Sequence, residues 1–116
     1  NAREWIWEVD AEGVYTYASP VVEKILGYRA EEVLGKKHAY DFFHPDDADR
    51  LRAESLEIVG RRGAFVEFQA RNLDKGGCVV WLLRSAVPIF DANGRLLGYR
   101  GADVDITERK RADTKA

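Results

Sequence analysis

The clearest structural signal in this chain is LGYRGADVDITERK, residues 97–110. It predicts a strand that runs directly into a charged helix, with almost no loop between them. Either Asp105 or Thr107 can supply the oxygen that caps the first free helical N–H groups, and Glu108 suits the positive end of the helix dipole. A strand joined so directly to a helix can pass a change in the sheet to whatever follows it.

The composition limits the class of protein. At 116 residues the chain fits one compact domain. Its 18 basic and 20 acidic residues nearly cancel, and a net charge of −2 gives no reason to expect nucleic-acid binding. No apolar run approaches the roughly 20 residues that span a bilayer, so no membrane segment is expected. The single Cys78 cannot form an internal disulfide, which suits a reducing, cytoplasmic location. Since the chain contains no methionine, we expect it to come from a longer protein.

The order of predicted elements is that of an α+β domain. Runs at 5–9 and 14–18 flank a turn with Asp10 and Gly13, which predicts a hairpin. Short helices are expected after Ser19-Pro20 and over 29–34, and a longer helix begins at His44-Pro45-Asp46-Asp47. Three strands then follow, at roughly 64–73, 78–90 and 96–106.

Several short motifs resemble those of PAS domains, the sensor modules of bacterial signalling proteins. Asp105-Ile106-Thr107 followed by Glu108-Arg109-Lys110 is similar to the D-I-T-E-R-K ending of that family. Gly27-Tyr28 with Glu31-Glu32-Val33-Leu34-Gly35 is similar to its GY-x-x-EE-x-x-G run. Other matches fall in the family's order: His44-Pro45-Asp46-Asp47, Trp81, Pro88-Ile89, Asp91 before Asn93-Gly94, and Gly98.

The resemblance implies the PAS fold, a five-stranded antiparallel sheet with short helices on one face. We expect the PAS domain over residues 3–107 and the start of a C-terminal signalling helix or linker over 108–116. The implied function is that of a sensory or signalling domain in a larger bacterial protein, either a sensor histidine kinase or a cyclic-dinucleotide enzyme. It senses a small molecule or mediates dimerisation, and relays the change through the Asp105-Ile106-Thr107 junction.

No catalytic or metal site is predicted, so the chain is not expected to be an enzyme. His38 and His44 have no serine or cysteine partner in a recognisable motif, and they lack the convergent ligands of a metal site. In flavin-binding light sensors the reactive cysteine lies in the segment equivalent to 37–42, which here is KHAYDF. No histidine lies on the long helix to bind haem. The resemblance therefore implies neither a flavin photoadduct nor haem. No cofactor is firmly implied, and an unknown small-molecule ligand remains open.

The candidate ligand residues follow from strand direction and from the resemblance. Alternation directs one set of strand side chains toward the helices, and the segment after Gly35 borders the cavity in ligand-binding relatives. The candidates are His38, Phe42, Phe68, Leu82, Arg84, Tyr99 and Asp103.

Arg84 and Asp103 are predicted to face inward on neighbouring strands, where a charge must be paired or hydrogen-bonded. Two interpretations are open. The two groups satisfy each other or nearby polar groups as part of the structure, or Arg84 binds an anionic ligand such as a carboxylate, which its planar fork matches.

The outer side of the sheet carries a second candidate surface. Trp81, Leu83 and Val87 are predicted to form an apolar stripe there, which is typical of a contact surface. We expect it to meet a second copy in a homodimer or an adjacent signalling domain of the same chain, unless the chain's own ends cover it.

At the junction the candidate signalling residues are Asp105, Thr107 and Arg109. Asp105 and Arg109 have the i, i+4 spacing of an ion pair that would fix the exit angle of the helix.

Two rival functions remain open. A pure interaction or dimerisation module without a ligand would have a core filled by side chains and no cavity. A small enzyme would need a converging nucleophile and base, which the sequence does not show.

Overall fold

The computed structural model describes residues 2–115 and contains one antiparallel sheet. The strands are β1 (Glu4–Asp10), β2 (Tyr15–Ala18), β3 (Phe65–Leu73), β4 (Val79–Phe90) and β5 (Leu96–Asp105). Their spatial order is β2-β1-β5-β4-β3, so the last strand in sequence lies at the centre of the sheet. The predicted five-stranded α+β architecture is confirmed.

Helices fill the connection between β2 and β3 and follow β5. They are α1 (Val22–Leu26), α2 (Ala30–Val33), α3 (Ala48–Gly60) and α4 (Thr107–Lys115), with a 3-10 turn at Ala39–Asp41. Gly27 ends α1 in the left-handed conformation, with a φ of 79°. The predicted order of helices is confirmed, although α1 begins two residues after Pro20.

Large aromatic side chains on one face of the sheet form the core. Trp5, Trp7 and Tyr15 are almost fully buried, and the rings of Trp5 and Tyr15 have centroids 5.3 Å apart. Ile6, which alternates with the two tryptophans, is 43% exposed. Buried residues of the helical layer pack on this inner face; they include Val22, Leu26, Val33 and Leu51. The inner face is therefore where any enclosed site has to lie.

Gly98 sets the close approach of β5 to the strands on either side of it, β1 and β4. It has a φ of 154° and lies opposite Asp10 of β1 and Ile89 of β4. A Cβ atom at this position would lie 1.9 Å from the carbonyl oxygen of Val9. Because any side chain would collide with the backbone of β1, glycine is needed for β5 to pair on both sides.

Two ion pairs fasten the β3–β4 side of the sheet to the helical layer. Lys75 Nζ lies 2.7 Å from Glu32 Oε2, and Arg71 Nε lies 2.7 Å from Asp47 Oδ2. The hydrogen bond from Lys75, helped by the Arg29 N–H, lowers the pKa of Glu32 from 4.5 to about 2. The hydrogen bond from Arg71 likewise lowers the pKa of Asp47.

We expect this sheet attachment to weaken in acid. A carboxylate whose pKa is lower in the folded state contributes stability above its ordinary pKa, and this is lost as the pH falls through the folded value. For Glu32 the window runs from 4.5 down to about 2. In urea titrations across that window, Glu32→Gln should show a smaller fall in the free energy of unfolding than the unchanged chain. Glu31→Gln, at an exposed neighbouring carboxylate, is the control, and an unchanged pH dependence in Glu32→Gln would contradict the assignment.

Candidate functional site

A cavity of about 200 Å³ lies between the inner face of the sheet and α3. Its wall is mainly aromatic and aliphatic, and exposed Glu12, Arg52 and Leu56 also border it, so it opens toward solvent there. The main side chains of the wall are Trp7, Tyr40, Val59, Phe65, Arg84 and Tyr99. A core with this much space differs from the side-chain-filled core expected of a pure interaction module.

The polar centre of the site is an ion pair between β4 and β5. Arg84 and Asp103 lie opposite each other in register, and the guanidinium donates two hydrogen bonds, from Nε to Oδ1 and from Nη2 to Oδ2, each 2.9 Å. The two side chains are only 11% and 2% exposed. The indole N–H of Trp7 donates a further hydrogen bond to Asp103 Oδ1 at 3.1 Å. Of the two interpretations left open by the sequence, the structure shows the first, in which the two charges satisfy each other.

Aromatic groups complete the surroundings of the Arg84 guanidinium. Nη2 also donates to the Tyr15 hydroxyl at 3.3 Å, and the guanidinium carbon lies 4.5 Å from the ring centre of Trp7. Burial raises the pKa of Tyr15, so the phenol stays neutral. Burial alone would lower the pKa of Arg84, but the attraction of Asp103, the contact with Tyr15 and the hydrogen bonds to both groups together outweigh it and raise that pKa. The arginine is therefore a cation whose charge is balanced by one carboxylate.

The structure brings part of the predicted ligand set to the cavity. Three of those residues line it: His38, Arg84 and Tyr99. The other four do not: Phe68, Leu82 and Asp103 line a separate narrow crevice that also touches Arg84, and Phe42 packs in the core beside Tyr15 and Tyr28. Alternation predicted the inward direction correctly, but it does not tell where between the layers the space remains.

Two groups at the cavity were missed by sequence reasoning. Ser55 lies on the wall, and its Oγ is buried without a hydrogen-bond partner within residues 2–115. The Tyr40 ring stacks on the ring of His38, with centroids 4.5 Å apart, and the Arg52 guanidinium lies over the Tyr40 ring, 4.0 Å from its centre. A serine among apolar residues on the inward face of α3 was the available signal for the first. Tyr40 lies in the 3-10 turn and Arg52 lies on α3, so no local sequence pattern predicts their contact.

The junction between β5 and α4 is held by Thr107. Asp105 Oδ1 accepts hydrogen bonds from the Thr107 backbone N–H, at 2.9 Å, and from its hydroxyl. Thr107 Oγ1 in turn accepts the backbone N–H of Trp81 on β4 at 2.9 Å. The first residue of α4 is therefore bonded to both central strands, as the predicted capping role of Asp105 requires.

The predicted pair between Asp105 and Arg109 does not form within the described part of the chain. Asp105 is engaged with Thr107 instead, and Arg109 is exposed. The ion pair at the start of α4 is that of Glu108 with Arg3, at 3.0 Å. The i, i+4 spacing therefore predicted the wrong partner for Asp105, because Thr107 occupies its carboxylate. The residue of α4 that forms an ion pair is Glu108, which meets Arg3 just before β1.

The outward direction of Trp81, Leu83 and Val87 is as predicted, but the three differ in exposure. Val87 is 55% exposed, while Leu83 is half-buried among its strand neighbours. Trp81 is half-covered by Lys110 of α4, whose Nζ lies 4.5 Å from the ring centre. Ile6 on β1 extends the apolar surface. The chain's own C-terminal helix thus covers one end of the predicted stripe.

The last two side chains considered for chemistry, His44 and Cys78, lie outside the cavity wall. His44 Nδ1 accepts the Asp46 N–H at 3.1 Å before α3, and Cys78 is exposed. Among the residues that the structure describes, no three histidine, cysteine or acidic side chains are grouped to share a metal ion.

None of the helices described here is both long enough and apolar enough to cross a membrane.

Comparison with known proteins agrees with this architecture. A sequence model of the PAS fold matches residues 15–102. The chain is 33% identical over 86 residues to an aryl hydrocarbon receptor nuclear translocator homolog of Drosophila melanogaster. The aligned region is 74% of this chain and 13% of that protein. It is 25% identical over 103 residues to the C4-dicarboxylate transport sensor protein DctS of Rhodobacter capsulatus, covering 89% of this chain and 16% of that protein. The chain thus spans less than a fifth of the length of these relatives.

A solved structure shows the same arrangement of elements. The PAS domain of a protein from Colwellia psychrerythraea matches with a TM-score of 0.79 and 26% sequence identity, over 90% of this chain and 87% of that one.

We expect the buried ion pair to be needed for the fold. Asp103→Asn leaves the Arg84 cation without its carboxylate, and breaking a buried pair in this way costs ~3 kcal/mol. The control is Glu8→Gln, which breaks the exposed Arg100–Glu8 contact of 3.3 Å between β5 and β1 and should cost under about 1 kcal/mol. Urea denaturation of both variants measures the difference, and equal losses would show that the Asp103 pair is not structural.

Proposed function

This chain belongs to the PAS family, the sensor modules of signalling proteins, and we propose that its sensing site is the cavity beneath the sheet. A small molecule bound there shifts the balance between two arrangements of the central strands. The helix α4 carries that shift out of the domain. We further propose that the chain has no catalytic activity of its own.

The observation that carries this proposal is the short route from the cavity to α4. Arg84 lies on the cavity wall and is bonded to Asp103 of β5. Two residues further along β5, Asp105 accepts both hydrogen bonds from Thr107, the first residue of α4. A ligand that moves the guanidinium therefore acts on the same strand that caps the helix.

The mechanism requires two arrangements that the ligand distinguishes. In the arrangement seen here, Thr107 is bonded to Asp105 and to the Trp81 N–H, which fixes α4 against β4. Displacement of Asp103 along β5 would loosen that cap and change the direction in which α4 leaves. The energy of one cap is small, so the two arrangements can lie close in free energy.

We propose residues 3–107 as the sensor domain and 108–116 as the start of a signalling helix or linker. Similarity to DctS, a sensor protein, supports a host that is itself a sensor. We propose a sensor histidine kinase or a cyclic-dinucleotide enzyme as that host, as the sequence predicts. A cytoplasmic location for the domain stays a prediction from the sequence.

A second role, as a dimerisation surface, is favoured by the apolar outer face. Val87 and Ile6 are exposed there, and Leu83 on the same face of β4 is half-buried. PAS domains commonly dimerise and occur in multidomain signalling proteins. We propose that this face meets a second copy or an adjacent domain of the same chain. An occupied cavity and a dimer surface are compatible, because they lie on opposite sides of the sheet.

We expect loss of the Asp105 cap to uncouple signalling before it unfolds the domain. Asp105→Ala removes both hydrogen bonds to Thr107 and costs about 0.5–2 kcal/mol, which shifts a balanced equilibrium by about twofold to thirtyfold. In a full-length signalling protein that carries this domain, output should become independent of stimulus while the melting temperature stays nearly unchanged.

Two variants control this experiment. Asp105→Asn keeps an oxygen that accepts the Thr107 N–H and should retain much of the response. Arg109→Gln, at an exposed position of the same turn, should behave as the unchanged protein. A normal response in Asp105→Ala would show that the junction is only a tether.

We expect the isolated chain to self-associate weakly through the outer face. Leu83→Glu places a charge in the centre of that face and should abolish concentration-dependent association in analytical ultracentrifugation. Leu56→Glu makes the same change on α3, on the opposite side of the molecule, and should leave association intact. A strict monomer for the unchanged chain at high concentration would contradict the dimer role.

A further inference from the structure

We propose that the cavity selects a neutral molecule with one aromatic ring and one hydrogen-bond-accepting oxygen. This inference rests on the proposed function, since it names the class of ligand for the proposed sensing site. It follows from the size of the cavity, from its wall, from its unused donors and from its charge.

The size of the cavity sets the size of the ligand. A protein cavity of ~150 Å³ lined by apolar side chains accepts benzene. The cavity here is about 200 Å³. The additional ~50 Å³ has room for roughly two groups the size of a water molecule. A single ring with one short substituent fills this space, while a fused-ring compound with a side chain exceeds it and has to extend through the opening beside Arg52 and Leu56.

The wall favours an aromatic body. Phe65 and Tyr99 meet edge to face with centroids 5.4 Å apart, and Trp7 borders the same space. Val59 of α3 adds an aliphatic side. Rings held at right angles to each other offer both faces and edges to a third ring, which is the arrangement that aromatic pairs prefer.

Two side chains of the wall, Arg84 and Ser55, have donors that no described residue uses. Arg84 donates from Nε and Nη2, whereas its Nη1 makes no hydrogen bond within residues 2–115. The Ser55 hydroxyl has no partner in the same range, Ser55 borders the cavity, and its side chain has three staggered positions about the Cα–Cβ bond. The Tyr99 hydroxyl already donates to the Gly63 carbonyl at 2.6 Å. A ligand oxygen that accepts from Arg84 and Ser55 would satisfy both groups.

The charge of the site favours a neutral oxygen over a carboxylate. Asp103 already occupies the fork of the Arg84 guanidinium with two bonds of 2.9 Å. The wall also contains two carboxylates, those of Asp10 and Glu12, and a second arginine, Arg52. A carboxylate ligand would add a buried negative charge that no further cation compensates, and burying such a charge is costly. A ketone or amide oxygen accepts the same hydrogen bonds without that cost.

Three probes of nearly equal size test the proposal by isothermal titration calorimetry on the 116-residue chain. Acetophenone has the ring and a neutral oxygen, benzoate has the ring and a carboxylate, and α-methylstyrene replaces the ketone oxygen by a methylene group. We expect acetophenone to bind at least about tenfold more tightly than either of the others, because only it satisfies the donors without adding charge. Tighter binding of benzoate, or equal binding of α-methylstyrene, would overturn the proposal.

Variants assign the selectivity to the named donors. Ser55→Ala and Arg84→Lys should each weaken acetophenone by about fivefold to tenfold and leave α-methylstyrene unchanged. Ser85→Ala, on the outer face of the sheet, is the matched control and should bind as the unchanged chain does. Melting temperatures confirm that each variant is folded. The assignment to these donors would be wrong if Ser85→Ala lost the preference for acetophenone over α-methylstyrene. It would also be wrong if Ser55→Ala and Arg84→Lys both kept that preference.

A separate measurement tells failure of this inference from failure of the proposed function. Val59→Phe fills the cavity and should abolish binding of all three probes. If no probe binds the unchanged chain, the ligand class is wrong. If, in addition, Val59→Phe leaves the stimulus response of a full-length protein unchanged, then the cavity is not the sensing site.

Discussion

A guanidinium and a carboxylate meet between the two central strands of this domain, and the other features of the site are arranged around them. Arg84 and Asp103 lie opposite each other in register on β4 and β5. Taking either charge out of water would cost several kcal/mol without the other. The fold therefore has to deliver both side chains to one point, and Trp7 and Tyr15 supply the hydrogen bonds that complete their surroundings. The register of the sheet and the chemistry of the cavity wall are set by the same contact.

That arrangement gives the cavity an uncommon combination of properties. A positively charged group is present in the wall, yet the local charge is balanced, so the cavity offers directional donors without attracting anions strongly. The aromatic residues around it contribute area and shape rather than charge. Selectivity would then come from leaving donors unpaired when the wrong molecule enters, because an unpaired buried donor is costly.

The sequence was sufficient for the order of elements and insufficient for the location of space between them. Strand alternation predicted that Arg84 and Asp103 face inward, because that rule is local. The cost of a buried charge required a partner for each of them but left open whether Arg84 pairs within the chain or with an anionic ligand. The empty volume depends on how α3 sits over the sheet. Phe42 was therefore expected at the cavity and lies in the core, while Ser55 lies on the cavity wall and was not among the predicted ligand residues. Glu108 found a partner 105 positions away in sequence, at Arg3, which no helical spacing rule can predict.

The pairing of β1 with β5 has a consequence for the architecture of a longer polypeptide. Glu4 lies opposite Val104, the Asp105 N–H donates to the Arg3 carbonyl at 2.7 Å, and Arg3 also holds Glu108. The start of β1 and the end of β5 therefore lie side by side at one corner of the sheet, and the rest of the domain lies to one side of them. In a row of such domains, the connection from one domain to the next would run along the edge where β1 begins and β5 ends, and would not cross the sheet. A change in the backbone at Arg3 therefore acts on Asp105 and Glu108 directly, without passing through the cavity.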